Sequence, residues 1–334
     1  MTNCSHRERL QMIIAGERPD RHAASFWRHF FHAEHSAEGT TDAMLAFQKE
    51  FDWDFMKINP RADFHLEDWG LQSNWSHNEF RKHDKVNFPI KTVDDWSEIT
   101  ANSPSAPALA EHLKVVSSIR KKSDRELPIM MTLFSPLAIA GRMIEDKSAF
   151  VDHIRNSPEK VHKALRAITD TYVAYASELR NAGADGLFFA TLQWASSDML
   201  SWEEYQQFGV PYDLEVVAAA ESDAINILHV CGGNNYLREL AKIDSYNAAI
   251  YNWDSSDETN LSLEEAETAL DNGVMLGGIE QERWLRQSSP DEIARRMDEL
   301  RDRYQSTRLI IGPGCVVPPE VPRENLYAIR KALR

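Results

Sequence analysis

Apolar, β-branched runs alternate with segments of helical period through most of the chain. Eight runs read as strands: 23–27 (AASFW), 53–58 (WDFMKI), 127–133 (LPIMMTL), 186–190 (GLFFA), 224–229 (AINILH), 247–252 (NAAIYN), 273–278 (GVMLGG) and 308–312 (RLIIG). Most are continuously apolar rather than alternating, the pattern of parallel strands covered on both faces. Helix starts are legible between them. Ser201 with Glu204 and Ser262 with Glu265 have capping-box spacing, and Ser289-Pro290-Asp291-Glu292 adds proline at the first helical position. A long helix over about 158–182 ends at Asn181-Ala182-Gly183, and the N-terminus reads as a short amphipathic helix.

Strands alternating with helices predict a parallel sheet, and eight such units close most naturally into a (β/α)8 TIM barrel, an α/β fold. A doubly wound sheet is the rival, but no Gly-x-Gly-x-x-Gly follows the first strand. The stretch 71–106 is polar and broken. It reads as an insertion after the second strand of a single domain spanning 1–334, because periodic structure resumes in the same style beyond it.

Composition agrees with that picture. The 334 residues are 43% hydrophobic and 27% charged, enough for one barrel of about 250 residues with insertions. A net charge of -15 argues against nucleic acid as a partner. Mean hydropathy is -0.48 and no apolar run approaches the roughly 18–20 residues of a membrane span. Three cysteines are too few for a disulfide framework, and the N-terminus carries no secretory apolar stretch. Both features place the expected compartment in the cytoplasm.

The candidate chemistry lies at predicted strand ends. His229-Val230-Cys231 closes the fifth strand, and residues two apart in extended chain face one side. Cys315, in Gly312-Pro313-Gly314-Cys315, follows the eighth. In a barrel both belong to the C-terminal rim, where active sites sit. One imidazole and two thiolates there suit zinc, with Asp254 after the sixth strand as a fourth, exchangeable ligand. The plainer alternative is that the cysteines are small buried hydrophobes and Asp254 caps a helix. Cys4 has no partner in sequence.

Several stretches carry a family resemblance: SHRERLQMIIAGERPDR, AGADGLFFATLQWASSDMLSWEEYQQFGVPY, HVCGG, LGGIE and GPGCVVPPEVPRENLYAIRKAL. Over nearly its whole length the chain resembles the uroporphyrinogen decarboxylase superfamily. Within it, the chain looks most like the zinc-dependent corrinoid:thiol methyltransferase branch of the coenzyme M type. The resemblance implies zinc on His229, Cys231 and Cys315, and a likeness to cobalamin-independent methionine synthase puts the acidic ligand near Asp254. It also implies a corrinoid (cobalamin) carried by a partner protein, or a methylated small molecule, together with a small-molecule acceptor and a homodimer.

True uroporphyrinogen decarboxylases differ at matching positions. Their arginine motif after the first strand is here Arg28-His29-Phe30-Phe31-His32, and their essential aspartate falls at Arg61, with Asp63 close by. Their tyrosine in the third unit appears as Arg142, and their late histidine as Cys315. Arg61 and Arg142 are candidates for binding a substrate carboxylate or phosphate, since guanidinium pairs bidentately with such anions; salt bridges to acidic residues are the alternative. Trp27, Arg28, His29 and His32 cluster just after the first strand as candidates for a substrate role, Arg28 with Arg61 among the catalytic candidates, against a loop that plugs the barrel bottom or packs on a neighbour. Asp198 is a further catalytic candidate, and Gln193, Gly277 and Gly278 are candidate cofactor contacts. The leading expectation is a zinc-dependent methyltransferase. A metal-free decarboxylase of a carboxylated tetrapyrrole and a non-catalytic tetrapyrrole- or corrinoid-binding relative are the alternatives.

Overall fold

The computed structural model describes residues 4–221, 223–304 and 308–333. Its strands are β1 (Ala23–Ala24), β2 (Met56–Ile58), β3 (Gln72–Asn74), β4 (Asp84–Asn87), β5 (Ile129–Phe134), β6 (Gly186–Ala190), β7 (Asn226–His229), β8 (Ala248–Asn252), β9 (Val274–Ile279) and β10 (Leu309–Pro313). Eight of them form one curled parallel sheet in the order β1-β10-β9-β8-β7-β6-β5-β2, with β3 and β4 as a separate antiparallel pair. All eight expected strands are present at their expected places. With helices between successive strands, the architecture is α/β and TIM-barrel-like.

The two end strands of the sheet are short because their backbone partners lie outside regular ladders. Ser25 donates its backbone N–H to Ile311, and its hydroxyl donates to the Phe55 carbonyl at 2.8 Å. Asp54 N–H donates to the Ala24 carbonyl at 2.9 Å, and Ala24 N–H to the Asp54 carboxylate at 2.9 Å. These bonds bridge β1 to the segment entering β2. Asp54 also receives Arg9 and Arg21, and His6 lies 3.1 Å from its Oδ1. Burial alone would raise its carboxyl, but His6, Arg21 and Arg9 hold it well below the usual carboxylate range. The N-terminal helix His6–Ala15 is thereby latched to the N-terminal ends of both strands.

Local signals act where the sequence places them. Capping boxes start the helices at Trp202, Leu263 and Pro290, each with its serine hydroxyl accepting the N–H of the glutamate. The long helix runs Pro158–Asn181, and Gly183 turns the chain at φ +107. The insertion holds more structure than its polarity suggests: β3 and β4 form a hairpin, followed by a 3-10 turn at Val93–Glu98. The hairpin lies over the rim. His83 Nε2 donates to the Ala62 carbonyl at 2.8 Å, and Lys82 pairs with Asp63. No helix among the described residues is long and apolar enough to cross a membrane.

Candidate metal centre

His229 is the last residue of β7, so its side chain stands at the C-terminal end of the sheet, and Cys231 follows two positions on. Cys315 lies two residues beyond the end of β10. The curl of the sheet brings them together. Cys231 Sγ and Cys315 Sγ are 3.8 Å apart, and Cys315 Sγ is 3.7 Å from His229 Nε2. Among the described residues they form a group whose ligand atoms all lie within 4.8 Å of one another.

The two separations at Cys315 are those of a tetrahedral ion. Zinc–sulfur bonds of about 2.3 Å and a zinc–nitrogen bond of about 2.0 Å place two sulfurs about 3.8 Å apart, and sulfur and nitrogen about 3.5 Å apart. A disulfide needs about 2.05 Å between sulfurs, so the pair is two thiols. The Cys315 thiol is held below its usual range, first by the hydrogen bond with Cys231 and also by His229. Its partner Cys231 is pushed up by the same sulfur and by burial.

A buried asparagine sets the imidazole. Asn252, at the end of β8, donates both amide hydrogens to main-chain carbonyls, Leu276 at 2.8 Å and Pro313 at 2.9 Å. Its Oδ1 therefore accepts, and it lies 2.6 Å from His229 Nδ1. The proton thus resides on Nδ1, and Nε2 presents its lone pair toward the sulfurs, as metal-binding histidines require. Gln281, also buried, accepts the Gly314 N–H at 2.9 Å and anchors the loop that carries Cys315. Gly314 is required there: a Cβ would stand 2.7 Å from Asp254 Cα.

Beneath the centre lies an aromatic floor containing one cation. Phe188 packs 5.1 Å from the His229 ring and edge-on to Trp27. Lys57 Nζ sits 4.6 Å from the Phe188 centroid and 5.4 Å from that of Trp27, and donates to Asn59 Oδ1. Burial pushes the Lys57 ammonium down to about 7, with the Cys315 thiolate opposing that shift. Sequence reasoning missed Lys57, which reads as one position in the apolar run WDFMKI. It also missed Asn252 and Gln281. The available signal was a polar side chain inside or just beyond an otherwise apolar strand.

The remaining candidates are placed as follows. Asp254 passes beside Gly314, but its carboxylate accepts the backbone N–H and hydroxyl of Ser256 and lies outside the three-residue group. Both bonds fall on Oδ1, so the turn with Ser256 engages one of the two carboxylate oxygens. Arg28 is paired with Glu79 at 2.7 Å, Arg61 with both Glu67 and Glu111, and Arg142 with Asp63 at 2.9 Å. The salt-bridge alternative therefore describes all three. Asp198 is exposed and accepts from Asn234 at 2.9 Å, while Gln193 is half-buried in the turn Leu192–Trp194. Gly277 and Gly278 belong to β9, and Gly278 has φ +94 with its carbonyl accepting from Arg296. The second glycine thus answers a backbone requirement.

The family model described as uroporphyrinogen decarboxylase (URO-D) matches residues 16–334. Among curated proteins, a methylcobamide:CoM methyltransferase of Methanosarcina acetivorans is 24% identical over 71% of this chain and 67% of its own. A methylated-thiol–coenzyme M methyltransferase of Methanosarcina mazei is 28% identical over 66% of this chain and 57% of its own. A uroporphyrinogen decarboxylase of Hydrogenovibrio crunogenus is 25% identical over 73% and 69%. A solved structure, a methyltransferase from Methanosarcina mazei, shares the fold with a TM-score of 0.83 at 18% identity, covering 98% of both chains.

Proposed function

The chain belongs to the uroporphyrinogen decarboxylase (URO-D) family, and on that premise we propose that it is a zinc-dependent methyltransferase. It passes a methyl group between a corrinoid held by a partner protein, or a methylated small molecule, and a thiol or similar acceptor. The reading takes residues 1–334 as one (β/α)8 domain with 71–106 as an insertion, acting in the cytoplasm as a homodimer. The observation that carries it is the His229–Cys231–Cys315 group, whose two separations at Cys315 are close to those of tetrahedral zinc and whose imidazole is already oriented by Asn252. Methyltransferases among the relatives support the same reaction class.

His229 Nε2 and the two sulfurs would hold the ion, and Asp254, outside that group of three, is not needed as a ligand in this reading. The chemistry a zinc ion would supply there is to hold an acceptor thiol deprotonated near neutral pH and hence nucleophilic. Asn252 keeps the proton on Nδ1 throughout. Asp198 and Gln193, on the loop after β6, are the groups we assign to substrate contact. Arg28 and Arg61, each paired with carboxylates, hold the rim loops in place. That pairing weighs against a decarboxylase that would grip a carboxylated tetrapyrrole by arginines.

Metal content and melting temperature measured side by side test the reading. The wild type should carry about one zinc per chain. Cys315→Ser and Cys231→Ser should lose it and keep the fold, since both residues lie beyond strand ends rather than inside the core. Asp254→Ala should retain most of it. Full zinc occupancy in Cys315→Ser, or a metal-free wild type that decarboxylates uroporphyrinogen, would overturn the proposal.

A further inference from the structure

We propose that Lys57 is the buried counter-charge of the metal centre, and that it makes the ion there favour an anionic fourth ligand over a neutral one. The inference rests on the zinc reading above and deepens it.

Lys57 lies on β2 and is only 6% exposed. A buried ammonium is costly unless an anion or a full set of acceptors faces it. Among the described residues its hydrogen-bond partner is Asn59 Oδ1, a neutral acceptor that takes one of three N–H donors. The charge that acts on it is the Cys315 thiolate. The cations of the rim stand differently: Arg28, Arg61 and Arg142 each have a carboxylate in contact. Lys57 instead has aromatic faces, Phe188 and Trp27, which tolerate a cation without neutralising it.

Its location ties it to the centre. The Phe188 ring contacts both the Lys57 ammonium, at 4.6 Å from the centroid, and the His229 imidazole, at 5.1 Å between centroids. Lys57 and His229 thus pack against the same ring, and the buried lysine lies within reach of the charge on Cys315. Asn59 holds the ammonium in place, and its own Nδ2 is buried with no partner among the described residues.

Charge balance then selects the ligand. A divalent ion with two thiolates and a neutral imidazole sums to zero, which leaves a buried positive charge beside it unmatched. One more anionic ligand makes the complex mononegative, and Lys57 restores neutrality. A neutral ligand does not. Glu282, whose carboxyl is raised by burial and by the Cys315 charge, is exposed and negative, so it offers no such compensation; Arg142, which acts on Cys231, is already paired with Asp63. Lys57 is a positioning residue in this scheme: it touches neither the ion nor the transferred group.

The test uses the full chain loaded with cobalt(II), whose visible spectrum reports ligand exchange. Two probes are titrated, 2-mercaptoethanol as the thiolate donor and imidazole as the neutral ligand, on wild type, Lys57→Met and Lys57→Arg. In Lys57→Met thiolate affinity should fall about tenfold or more, the scale of one unit charge acting across a short, partly screened distance. Imidazole affinity should stay within about twofold, and Lys57→Arg should keep the thiolate preference because the charge remains. Unchanged thiolate affinity in Lys57→Met, or an equal fall for both probes, would overturn the inference while leaving the metal reading standing. A wild-type chain that takes up no cobalt would overturn the metal reading, and this one with it.

Discussion

Asn252 shows how much one buried amide decides. Its two N–H donors are committed to Leu276 and Pro313, so its oxygen has a single role, to accept from His229 Nδ1. Replacing it with alanine removes that partner and the side-chain donor to two interior carbonyls. Asn252→Ala should weaken zinc about 10–100-fold, the usual effect of losing the group that orients a metal-binding histidine. Competition with a chromophoric chelator measures this, with a urea melt of the metal-free protein alongside to report any loss of fold. Unchanged affinity would mean that packing on Phe188 alone aims the ring. The same residue-scale logic reassigns the arginines. Guanidinium groups at a barrel mouth suggested substrate anions, yet Glu79, Glu67, Glu111 and Asp63 already occupy them.

At the scale of elements, local pattern was a good guide wherever one interaction dominates. Buried parallel strands are continuously apolar, and all eight were legible. Capping boxes were legible because both partners lie within four residues. Ser262→Ala removes the hydroxyl that accepts the Glu265 N–H at the start of the helix Leu263–Ala269. It should cost about 1 kcal/mol of stability with zinc content unchanged, read from urea denaturation and metal analysis. A loss of zinc as well would show that this helix helps place the preceding loop with Asp254. The β3–β4 hairpin was not legible, since its residues are exposed or half-buried on both faces and no apolar face marks the strands. Its place is set instead by rim contacts such as His83 to Ala62 and Lys82 to Asp63.

For the molecule as a whole, the latch around Asp54 joins the N-terminal helix to both ends of the sheet. His6 sits within it, its pKa raised to about 9, first by its hydrogen bond with Asp52 and then by that with Asp54. A histidine raised on folding binds its proton more tightly in the folded state. Its contribution is therefore complete below about pH 6.5, the unfolded value, and is lost as pH rises through about 9. Wild type should lose stability across that window, and His6→Gln should lose about 1–2 kcal/mol less, allowing for solvent screening of a partly exposed pair. Urea midpoints at pH 6.5 and pH 9.5 give the comparison. Parallel slopes for the two proteins would show that the latch depends on Arg9 and Arg21 alone.

Read alone, the chain determined the repeat of strand and helix, and with it the strand ends where His229, Cys231 and Cys315 reside. These follow from short-range causes: backbone period, burial on one or two faces, and caps a few residues long. The tertiary structure decided the rest. It brought Cys231 and Cys315 to 3.8 Å across 84 residues, because the curl of the sheet, rather than local sequence, sets which strand ends face each other. It set Asp254 Oδ1 against Ser256 and left Asp254 outside the three-residue group, an arrangement that spacing does not reveal. It also placed Lys57, hidden in an apolar strand, against the Phe188 ring that packs on His229. A lysine's meaning depends on whether a carboxylate meets it, and that is settled by elements far apart in the chain.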